Sequence, residues 1–542
     1  MSMQLFQPYC PRTGPTHLTR CRGTSSWRAR LWLAVAALVL VTPALTPAGE
    51  PQPAASAVNG DAQPSLPPNI VFIVLDTARA DRMSYNGYQR LTTPNIDDFA
   101  RDGVIYRNAH SVAPWTLPSH MSMFTGLLPG QHGATWRALA TPEHMTLSDL
   151  LNKSFALADP SQLLPVRLRK LGYSTVGFSS NAWVSRHTGF GEGFDAFHEI
   201  WKASKFLRKV YNWMPPRARA LIERLPGNIR AASEADSGDG GLVLLKLKEY
   251  IATHGPLHAP FFLFFNFIDP HFPYSPPLSW RYAFSDDVTL GEGLALFRFD
   301  EMALQAGARP VDVSRFNPFY DAEVNYLDFV IGRLLTWLRE HGYYDKALIV
   351  ITSDHGEHIG EGGHFSHQFS MEEELLHIPL VIKYPSNAGR GQVVDNPLVS
   401  NLDIHKTILC AAGACPEAGS AASPQDLANM GEFSRSYLVA EYFYSHPYLR
   451  LNKKCYPEFS IDDNRVTRRV VYDDVHRYEF TQRDGVQPAA AFAAGVDDPG
   501  RRRAAAFLES YVSGLGNGML RQGEEPLDEA SRERLRSLGY TQ

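Results

Sequence analysis

Polar residues that can bind a metal ion follow three separate runs of apolar residues. Asp76 comes directly after "NIVFIVL", Asp354 and His355 come after "ALIVITS", and His271 lies three residues beyond "FFLFFNFI". Two carboxylates and an imidazole form a hard-to-borderline donor set for a divalent cation. One Asp after a strand is often a turn or helix cap, but the repetition favours a shared site. We therefore expect Asp76, Asp354 and His355 to be metal ligands.

A candidate nucleophile lies in the segment "APWTLPSHMSMFTGL" (113–127). Pro118 favours the start of a helix and Gly126 suits its end, so Thr116 is predicted to lie at the helix N-terminus. Unpaired N–H groups and the helix dipole favour anions there. A hydroxyl in that position beside a divalent cation loses its proton more easily and becomes a nucleophile. A helix-capping role for Thr116 is the alternative; the nearby metal ligands favour the catalytic role.

The segment "SDHGEHIGEGGHFSHQ" (353–368) extends the predicted site beyond Asp354. Its glycines allow the backbone to approach a ligand, and His364 and His367 can donate hydrogen bonds to anionic oxygens. A solvated glycine loop whose histidines have no role is the alternative.

The apolar runs that precede the polar clusters have the length and composition of strands buried on both faces. The predicted strands cover 69–75, 173–179, 261–268 and 347–353. Helical patterns lie between them, at 93–103 with Thr93 or Asn95 as the cap, and at 326–342 with Gly342 at the end. This alternation predicts an α/β domain with a doubly wound, mostly parallel sheet flanked by helices. Such sheets bind ligands at the carboxyl ends of their strands, where the polar clusters should meet.

Length and composition are those of a globular protein with one large α/β domain and an appendage, or with two to three domains. The 542 residues are 44% hydrophobic and 20% charged, with a net charge of −5, so nucleic acid is not expected as a partner. Cys410, Cys415 and Cys455 lie outside the N-terminal segment. Export would permit one disulfide, such as Cys410–Cys415, and three unpaired thiols are the alternative.

The N-terminal segment differs in composition from the rest of the chain. Residues 1–49 contain no Asp, Glu or Lys, but several arginines precede the short apolar run "LWLAVAALVLV" (31–41). A basic flank, a short apolar run and small residues indicate an export signal. A retained single-pass anchor within 31–45 is one alternative and a transit peptide another, although a membrane span needs about 20 apolar residues. We expect a signal peptide or anchor at 1–48, a linker at 49–68, and export to the periplasm, cell envelope or extracellular space.

Several longer segments occur together in one order. They are "NIVFIVLDTARADRMS", "TTPNIDDFARDGVIYRNAHSVAPWTLPSHMSMFTGLLPGQHG", "LGYSTVGFSSN", "GFGEGFDAF", "FNFIDPHFPYSPP", "SDHGEHIGEGG" and "EELLHIPLVIKYP". In these segments, from about Asn69 to Asp403 and more weakly to the end, the chain resembles a sulfatase of the alkaline phosphatase superfamily. The resemblance implies a sulfatase-like catalytic domain at 69–415 and a smaller C-terminal antiparallel α+β subdomain at 416–542. The strands expected in that subdomain are 437–443, 469–474 and 477–482.

The resemblance also implies roles for individual residues. The implied metal ligands are Asp76, Thr116, Asp354 and His355. Thr116 is at the same time the implied nucleophile. His271 stands where the family has a substrate-contacting histidine, and His367 stands where many sulfatases have a substrate-contacting lysine. His120 replaces an arginine that normally supports the nucleophile.

Two positions depart from the sulfatase pattern. Sulfatases of the main type carry Cys, sometimes Ser, at the position of Thr116, and this residue is oxidised to formylglycine. One hydroxyl of the formylglycine hydrate attacks sulfur, and the second hydroxyl then expels sulfate. A threonine lacks that second hydroxyl, so an intermediate must be resolved by attack on sulfur or phosphorus, as in superfamily phosphatases and transferases with an unmodified Ser or Thr. Thr77 stands where sulfatases usually have a second Asp. We therefore expect one divalent metal ion, with Mn²⁺ or Zn²⁺ favoured over Ca²⁺ because a neutral imidazole is among the ligands.

Three functions remain open after these observations. The favoured one is a metal-dependent hydrolase that cleaves a sulfate or phosphate/phosphonate ester through Thr116, with a phosphorus centre favoured on chemical grounds. The second is an envelope transferase that moves a phospho-head-group to a glycan or lipid, and the third is a non-catalytic metal-binding protein. The expected partner is a sulfated or phosphorylated small molecule, glycan or lipid. Segments 200–245 and 280–316 are expected to be insertions, the second of them over the substrate cleft.

Overall fold

The computed structural model of the protein describes most of the chain beyond residue 66. The described residues are 67–136, 154–201, 239–277, 279–285, 316–361, 364–367, 369–395, 398–415, 435–455, 459–492, 498–516, 520–523 and 526–537. The expected signal peptide or anchor, nearly all of the expected linker and most of the two expected insertions lie outside these residues. Within the described part of the chain, no helix has the length and apolar character needed to cross a membrane.

Strands and helices alternate through the first two thirds of the described chain. The strands are β1 (Ile70–Leu75), β2 (Val104–Tyr106), β3 (Ser154–Leu157), β4 (Ser174–Ser179), β5 (Ala196–Glu199), β6 (Phe261–Phe267), β7 (Leu348–Thr352), β8 (His358–Ile359), β9 (Phe365–Ser366), β10 (Leu380–Lys383), β11 (Val393–Val394), β12 (Leu438–Tyr442), β13 (Val466–Tyr472), β14 (Arg477–Arg483) and β15 (Leu520–Gly523). The α-helices are α1 (Pro94–Asp102), α2 (Thr116–Thr125), α3 (Pro129–His132), α4 (Leu164–Lys170), α5 (Asp239–His254), α6 (Asn317–Glu340), α7 (Glu373–Leu376), α8 (Asp403–Ala411), α9 (His446–Cys455), α10 (Ile461–Asn464), α11 (Pro488–Phe492), α12 (Pro499–Ser513) and α13 (Glu529–Ser537). Short 3-10 helices cover Ala80–Arg82, Ser84–Asn86, Pro160–Gln162 and Pro385–Asn387.

The central sheet is mostly parallel and is covered on both faces. Its eight strands run in the order β11-β2-β10-β7-β1-β6-β4-β5, and β10 is antiparallel to both of its neighbours. Side chains of β1 alternate between two cores, with Phe72 on one face and Ile73 on the other. Helices α2, α4 and α8 cover the first face, and α1, α5 and α6 cover the second. The predicted doubly wound α/β class is therefore confirmed.

The predicted strands and helices are present in the structure, but some of their ends differ from the predicted ones. All four predicted strands of the central sheet are present, each within one residue of its predicted ends. The helix predicted to start at residue 326 begins at Asn317, because Phe319 and Tyr320 are buried and extend its apolar face. Helix α2 begins at Thr116, two residues before Pro118, which is tolerated in a first turn whose N–H groups need no helical partner. The expected insertion at 200–245 is wrong for its last seven residues, which form the start of α5.

A smaller antiparallel sheet follows the catalytic fold, as the resemblance implied. Strands β12, β13 and β14 pair antiparallel, and they correspond to the strands expected at 437–443, 469–474 and 477–482. Helix α12 packs on one face, where Ala504 and Leu508 meet Val471 and Phe480. This layer completes the predicted α/β plus α+β architecture.

Glu441 joins the small sheet to the segment that carries Thr116. Its amide donates to the Val112 carbonyl at 2.9 Å, and its Oε2 accepts from the Gly130 amide at 2.6 Å and from the Tyr511 hydroxyl at 2.8 Å. Its Oε1 is 2.8 Å from Nε of Arg469, and both side chains are buried. The carboxylate thus satisfies groups on three different elements at once.

We expect Glu441→Ala to lower the free energy of unfolding by about 3–5 kcal/mol, because it leaves the buried Arg469 charge without its partner. Urea unfolding followed by circular dichroism measures the change. Glu249→Ala is the control, since Glu249 forms an exposed pair with Lys246 at 3.0 Å and such pairs contribute about 1 kcal/mol at most. Equal losses in the two variants would contradict the prediction.

Cys410 and Cys415 form a disulfide at the end of α8. The first of the two alternatives for the cysteines is therefore the one present in the structure.

Candidate active site

The predicted site residues meet at the carboxyl edge of four neighbouring parallel strands. Strands β7, β1, β6 and β4 lie side by side, and they end level with one another: the Asp76 amide donates to Phe267 at 2.9 Å, and the Ser180 amide donates to Asn266 at 3.0 Å. The segments that follow these strands carry the polar clusters. The sheet therefore brings together residues that are far apart in the chain, such as Asp76 and His355.

Asp76, Asp354 and His355 form a buried cluster with the geometry of a metal site. Their ligand atoms all lie within 4.8 Å of one another, and all three residues are fully buried. Nδ1 of His355 donates to the Gly356 carbonyl at 2.8 Å, which leaves the lone pair on Nε2. That Nε2 is 3.5 Å from Oδ2 of Asp354. Oδ1 of Asp76 and Oδ2 of Asp354 are buried and make no hydrogen bond, so the donor set fits a divalent cation.

The electrostatics of this cluster also favour a cation. Burial raises the pKa of Asp354 to about 7, and burial together with the Asp354 charge raises the pKa of Asp76 well above its ordinary value. Burial lowers the pKa of His355, which keeps its imidazole neutral. Two carboxylates buried beside a neutral imidazole would be unstable in their charged form at neutral pH unless a cation balanced their charge.

Thr116 is the first residue of α2 and faces the cluster. Its Oγ1 lies 3.4 Å from Nε2 of His355, and the residue is fully buried. His120 lies one turn later, where Nδ1 donates to the Thr116 carbonyl at 3.0 Å and Nε2 accepts from Asn266 at 3.3 Å. Burial lowers the pKa of His120 to about 3, so the imidazole is neutral. His120 therefore lies beside Thr116, and its hydrogen bond to the Thr116 carbonyl helps to orient the start of α2.

Asn181 is a site residue that the sequence analysis did not identify. Its Nδ2 donates to Oδ2 of Asp76 at 2.7 Å and lies 3.4 Å from Oγ1 of Thr116. Its own Oδ1 accepts from the Trp183 amide at 2.9 Å, which fixes the orientation of the amide group. The sequence signal for a role of Asn181 was its position two residues after β4. The sequence analysis did not assign it a role, because asparagine is not a typical metal ligand.

We expect Asn181→Ala to lower kcat about 100-fold, because it removes a donor that orients both Asp76 and Thr116. The metal content of the variant should stay unchanged, since Asn181 is not one of the predicted metal ligands. Steady-state kinetics with metal analysis tests this. Asn325→Ala is the control. Within the described residues, the Asn325 side chain makes one hydrogen bond, in which it donates to the Thr92 carbonyl at 3.1 Å. An unchanged kcat in Asn181→Ala would contradict the assignment.

Thr77 has a left-handed backbone conformation that the surrounding contacts impose. Its φ is 56°, which costs a β-branched residue about 1–3 kcal/mol. The Thr77 amide donates to Oδ1 of Asp354 at 3.1 Å, and its carbonyl accepts from the Tyr320 hydroxyl at 2.8 Å. The same hydroxyl accepts from the Arg79 amide at 2.9 Å. Tyr320 of α6 thus stabilises the turn that follows Asp76. The sequence analysis did not identify this residue.

His271, Glu357 and His367 form a second buried cluster beside the first. Their ligand atoms lie within 4.8 Å of one another, and the imidazole ring of His367 is centred 4.6 Å from that of His355. Burial lowers the pKa of His271 to about 3 and that of His367 well below its ordinary value. Glu357 lies in the segment 353–368, but the sequence analysis did not predict it as a site residue. His364 lies elsewhere, with its ring 5.2 Å from His358.

Comparison with known proteins identifies the family of the chain. A family model described as Sulfatase matches residues 68–414, and the chain belongs to the sulfatase family, within the alkaline phosphatase superfamily. A sulfatase of Formosa agariphila is 26% identical over 373 residues, covering 64% of this chain and 69% of the relative. An N-acetylglucosamine-6-O-sulfatase of Bacteroides thetaiotaomicron is 24% identical over 463 residues, covering 73% and 77%.

A solved structure has a similar fold. The phosphonate monoester hydrolase of Agrobacterium radiobacter superposes with a TM-score of 0.55 at 19% identity, covering 82% of this chain and 95% of that one. The chain is thus a sulfatase-like ester hydrolase of a metal-dependent family.

Proposed function

We propose that this protein hydrolyses an ester of phosphoric, phosphonic or sulfuric acid with unmodified Thr116 as its nucleophile. The observation that carries the proposal is the position of Oγ1, 3.4 Å from Nε2 of His355 at the edge of a buried three-ligand cluster. A residue that only capped the helix would not need to face such a cluster.

One divalent cation is proposed at Asp76, Thr116, Asp354 and His355. The two carboxylate oxygens without hydrogen bonds and the lone pair of His355 are the matching donors. Imidazole with carboxylates favours Mn²⁺ or Zn²⁺, and Ca²⁺ fits less well. When bound, such an ion supplies positive charge that lowers the pKa of a coordinated hydroxyl and balances the substrate oxygens.

Two displacement steps give a balanced reaction. Oγ1 of Thr116 attacks the phosphorus or sulfur centre, the bond to the ester oxygen breaks, and that oxygen leaves with a proton as the alcohol. Water then attacks the same centre, and the bond to Oγ1 breaks to release the acid and restore the hydroxyl. A phosphorus centre is favoured, because phosphothreonine is resolved by this direct attack. Asn181 orients the nucleophile, and His271 and His367 lie where oxygens of the substrate must be held.

A substrate panel with metal-loaded protein tests the proposal. We expect turnover of at least one of four substrates: an aryl sulfate, a phosphate monoester, a phosphate diester or a phosphonate ester. Release of free acid in water, without an added alcohol, is the expected result. Activity only with an acceptor alcohol would identify a transferase, and metal binding without turnover on the whole panel would identify a binding protein.

We also propose that the chain is exported. The basic flank and apolar run at 31–41 and the disulfide between Cys410 and Cys415 support this, because disulfides persist in oxidising compartments. Fractionation of expressing cells, followed by N-terminal sequencing, distinguishes a cleaved signal from an anchor retained within 31–45. Recovery of full-length reduced protein from the cytosol would contradict the proposal.

A further inference from the structure

A buried network of uncharged polar side chains lies against the backbone of Asp354. Its members are Ser111, Ser119 and Asn401, and all three are fully buried, as is Asp354. They meet at the Asp354 carbonyl, which accepts from the hydroxyls of Ser111 and Ser119, the second at 2.7 Å. Buried hydroxyls and amides are costly unless their hydrogen bonds are made, so this network requires a defined arrangement of the segments that carry it.

Asn401, two residues before α8, is the central member of the network. Its Nδ2 donates to Oγ of Ser119 at 2.8 Å and to Oγ of Ser111 at 3.1 Å, and it lies 3.5 Å from the Asp354 carbonyl. Its Oδ1 accepts from the Val112 amide at 3.2 Å. A side-chain amide supplies both donors and an acceptor in one plane, so a single residue satisfies the two hydroxyls and the backbone N–H group.

The network joins the helix that carries Thr116 to the segment that carries Asp354. Ser119 follows Thr116 by three residues, about one turn further along α2. The Asp354 side chain is held separately, because its Oδ1 accepts from the Thr77 amide at 3.1 Å and from the His355 amide at 2.9 Å. Loss of the contact between Ser119 and the Asp354 carbonyl would therefore let α2 move relative to the proposed metal ligands without removing a ligand.

We infer that Asn401 is a positioning residue, which acts through Ser119 to set the place of the Thr116 hydroxyl relative to the proposed cation. The inference rests on the proposed function, in which Thr116 attacks the substrate beside that cation. Oγ1 of Thr116 lies 3.4 Å from Nε2 of His355, so a small displacement of α2 changes this distance appreciably. Misplacing a nucleophile lowers the rate of the chemical step more than it lowers the affinity for substrate.

Steady-state kinetics on the full chain gives the first test. We expect Asn401→Ala and Ser119→Ala each to lower kcat roughly 10- to 100-fold while KM changes little. The double variant should lose about as much as the weaker single variant, because both substitutions break the same link. Thr407→Ala is the control and should keep the wild-type kcat, since it removes a buried hydroxyl of α8 that donates to the Asp403 carbonyl at 2.9 Å. Equal losses in Thr407→Ala, or multiplied losses in the double variant, would overturn the inference.

Absorption spectroscopy of the Co²⁺-loaded protein gives a second test that needs no turnover. The visible spectrum of Co²⁺ depends on its ligands, so Thr116→Ala should differ from the wild type. Asn401→Ala should shift towards the Thr116→Ala spectrum at unchanged Co²⁺ content, and Thr407→Ala should keep the wild-type spectrum. If thermal unfolding shows Asn401→Ala to be unfolded, Ser119→Ala takes its place.

The two tests separate this inference from the proposed function. A wild-type spectrum in Asn401→Ala, or no spectral difference between Thr116→Ala and the wild type, would overturn the inference. The expected spectral shifts in a protein that turns over no ester would overturn the proposed function and leave the positioning role of Asn401 standing.

Discussion

Thr116→Ala should abolish turnover, with kcat/KM reduced about 10⁴-fold or more on whichever ester the wild type cleaves best. The expected loss is large because both displacement steps use Oγ1, and removing a covalent nucleophile leaves only binding and charge stabilisation. The residue is fully buried at the start of α2, so the smaller methyl group of alanine should not disturb folding. Steady-state kinetics over a range of substrate concentrations measures the effect.

Two further variants separate nucleophilic catalysis from a structural effect. Thr116→Ser keeps the hydroxyl and should retain activity within about tenfold of the wild type. Thr125→Ala is the control on the same helix, where the hydroxyl donates to the Met121 carbonyl at 2.7 Å, far from the metal ligands. Acid quenching during turnover, followed by peptide mass spectrometry, should find phosphate or sulfate on Thr116. Full activity in Thr116→Ala would show that another group attacks the substrate.

Removal of the metal ion should reduce activity as much as removal of the Thr116 hydroxyl does. The pH dependence of metal binding should follow the protonation of Asp354. Burial raises the pKa of this carboxyl to about 7 in the metal-free protein, so a proton competes with the cation at every pH below that value. Because burial also raises the pKa of Asp76, the apparent metal Kd should rise at least tenfold for each unit once the pH is well below 7, and it should depend less steeply on pH above that value. An Asp of ordinary pKa near 4 would show this competition only in stronger acid.

Equilibrium metal titrations at pH 5, 6, 7 and 8 measure the slope. Asp354→Asn should bind the proposed cation at least 100-fold more weakly and lose about 10³-fold or more in kcat, and the steep part of its pH profile should diminish. Asp345→Asn, at an exposed aspartate away from the site, should behave as the wild type. A metal Kd that does not change between pH 5 and 8 would contradict the raised pKa.

The strands that position the site could be predicted from sequence because their side chains are buried on both faces. β1 and β6 are therefore continuous apolar runs that end at polar residues, and the proposed metal ligands were predicted from the same pattern. The shorter strands β2 and β11 were not identified, since three and two residues carry too little periodicity to distinguish them from loops. The antiparallel β10 lay within the motif "EELLHIPLVIKYP" and was used only for the family resemblance.

The residues missed at the site have a common explanation. Asn181, Tyr320 and Glu357 contact Asp76, Thr77 and Tyr274, which lie 105, 243 and 83 positions away in sequence, and none of these contacts leaves a local pattern. Their residue types are also common on ordinary surfaces and in helices. Thr116 and the metal ligands differ, because Pro118 and the ends of strands mark their surroundings in the sequence.

The Glu441 contacts have a consequence for how this enzyme can be divided. The amide of Glu441 binds the carbonyl of Val112, ahead of Thr116, and its carboxylate binds the amide of Gly130, beyond the end of α2. A polypeptide ending at residue 415 would hold every side chain proposed to touch substrate or metal, yet both flanks of its nucleophile would be unsupported. We therefore expect activity to require the small sheet as well, because it supports both ends of the segment that carries the proposed nucleophile. Removing the sheet should abolish activity, although none of the residues proposed to contact substrate or metal lies in it.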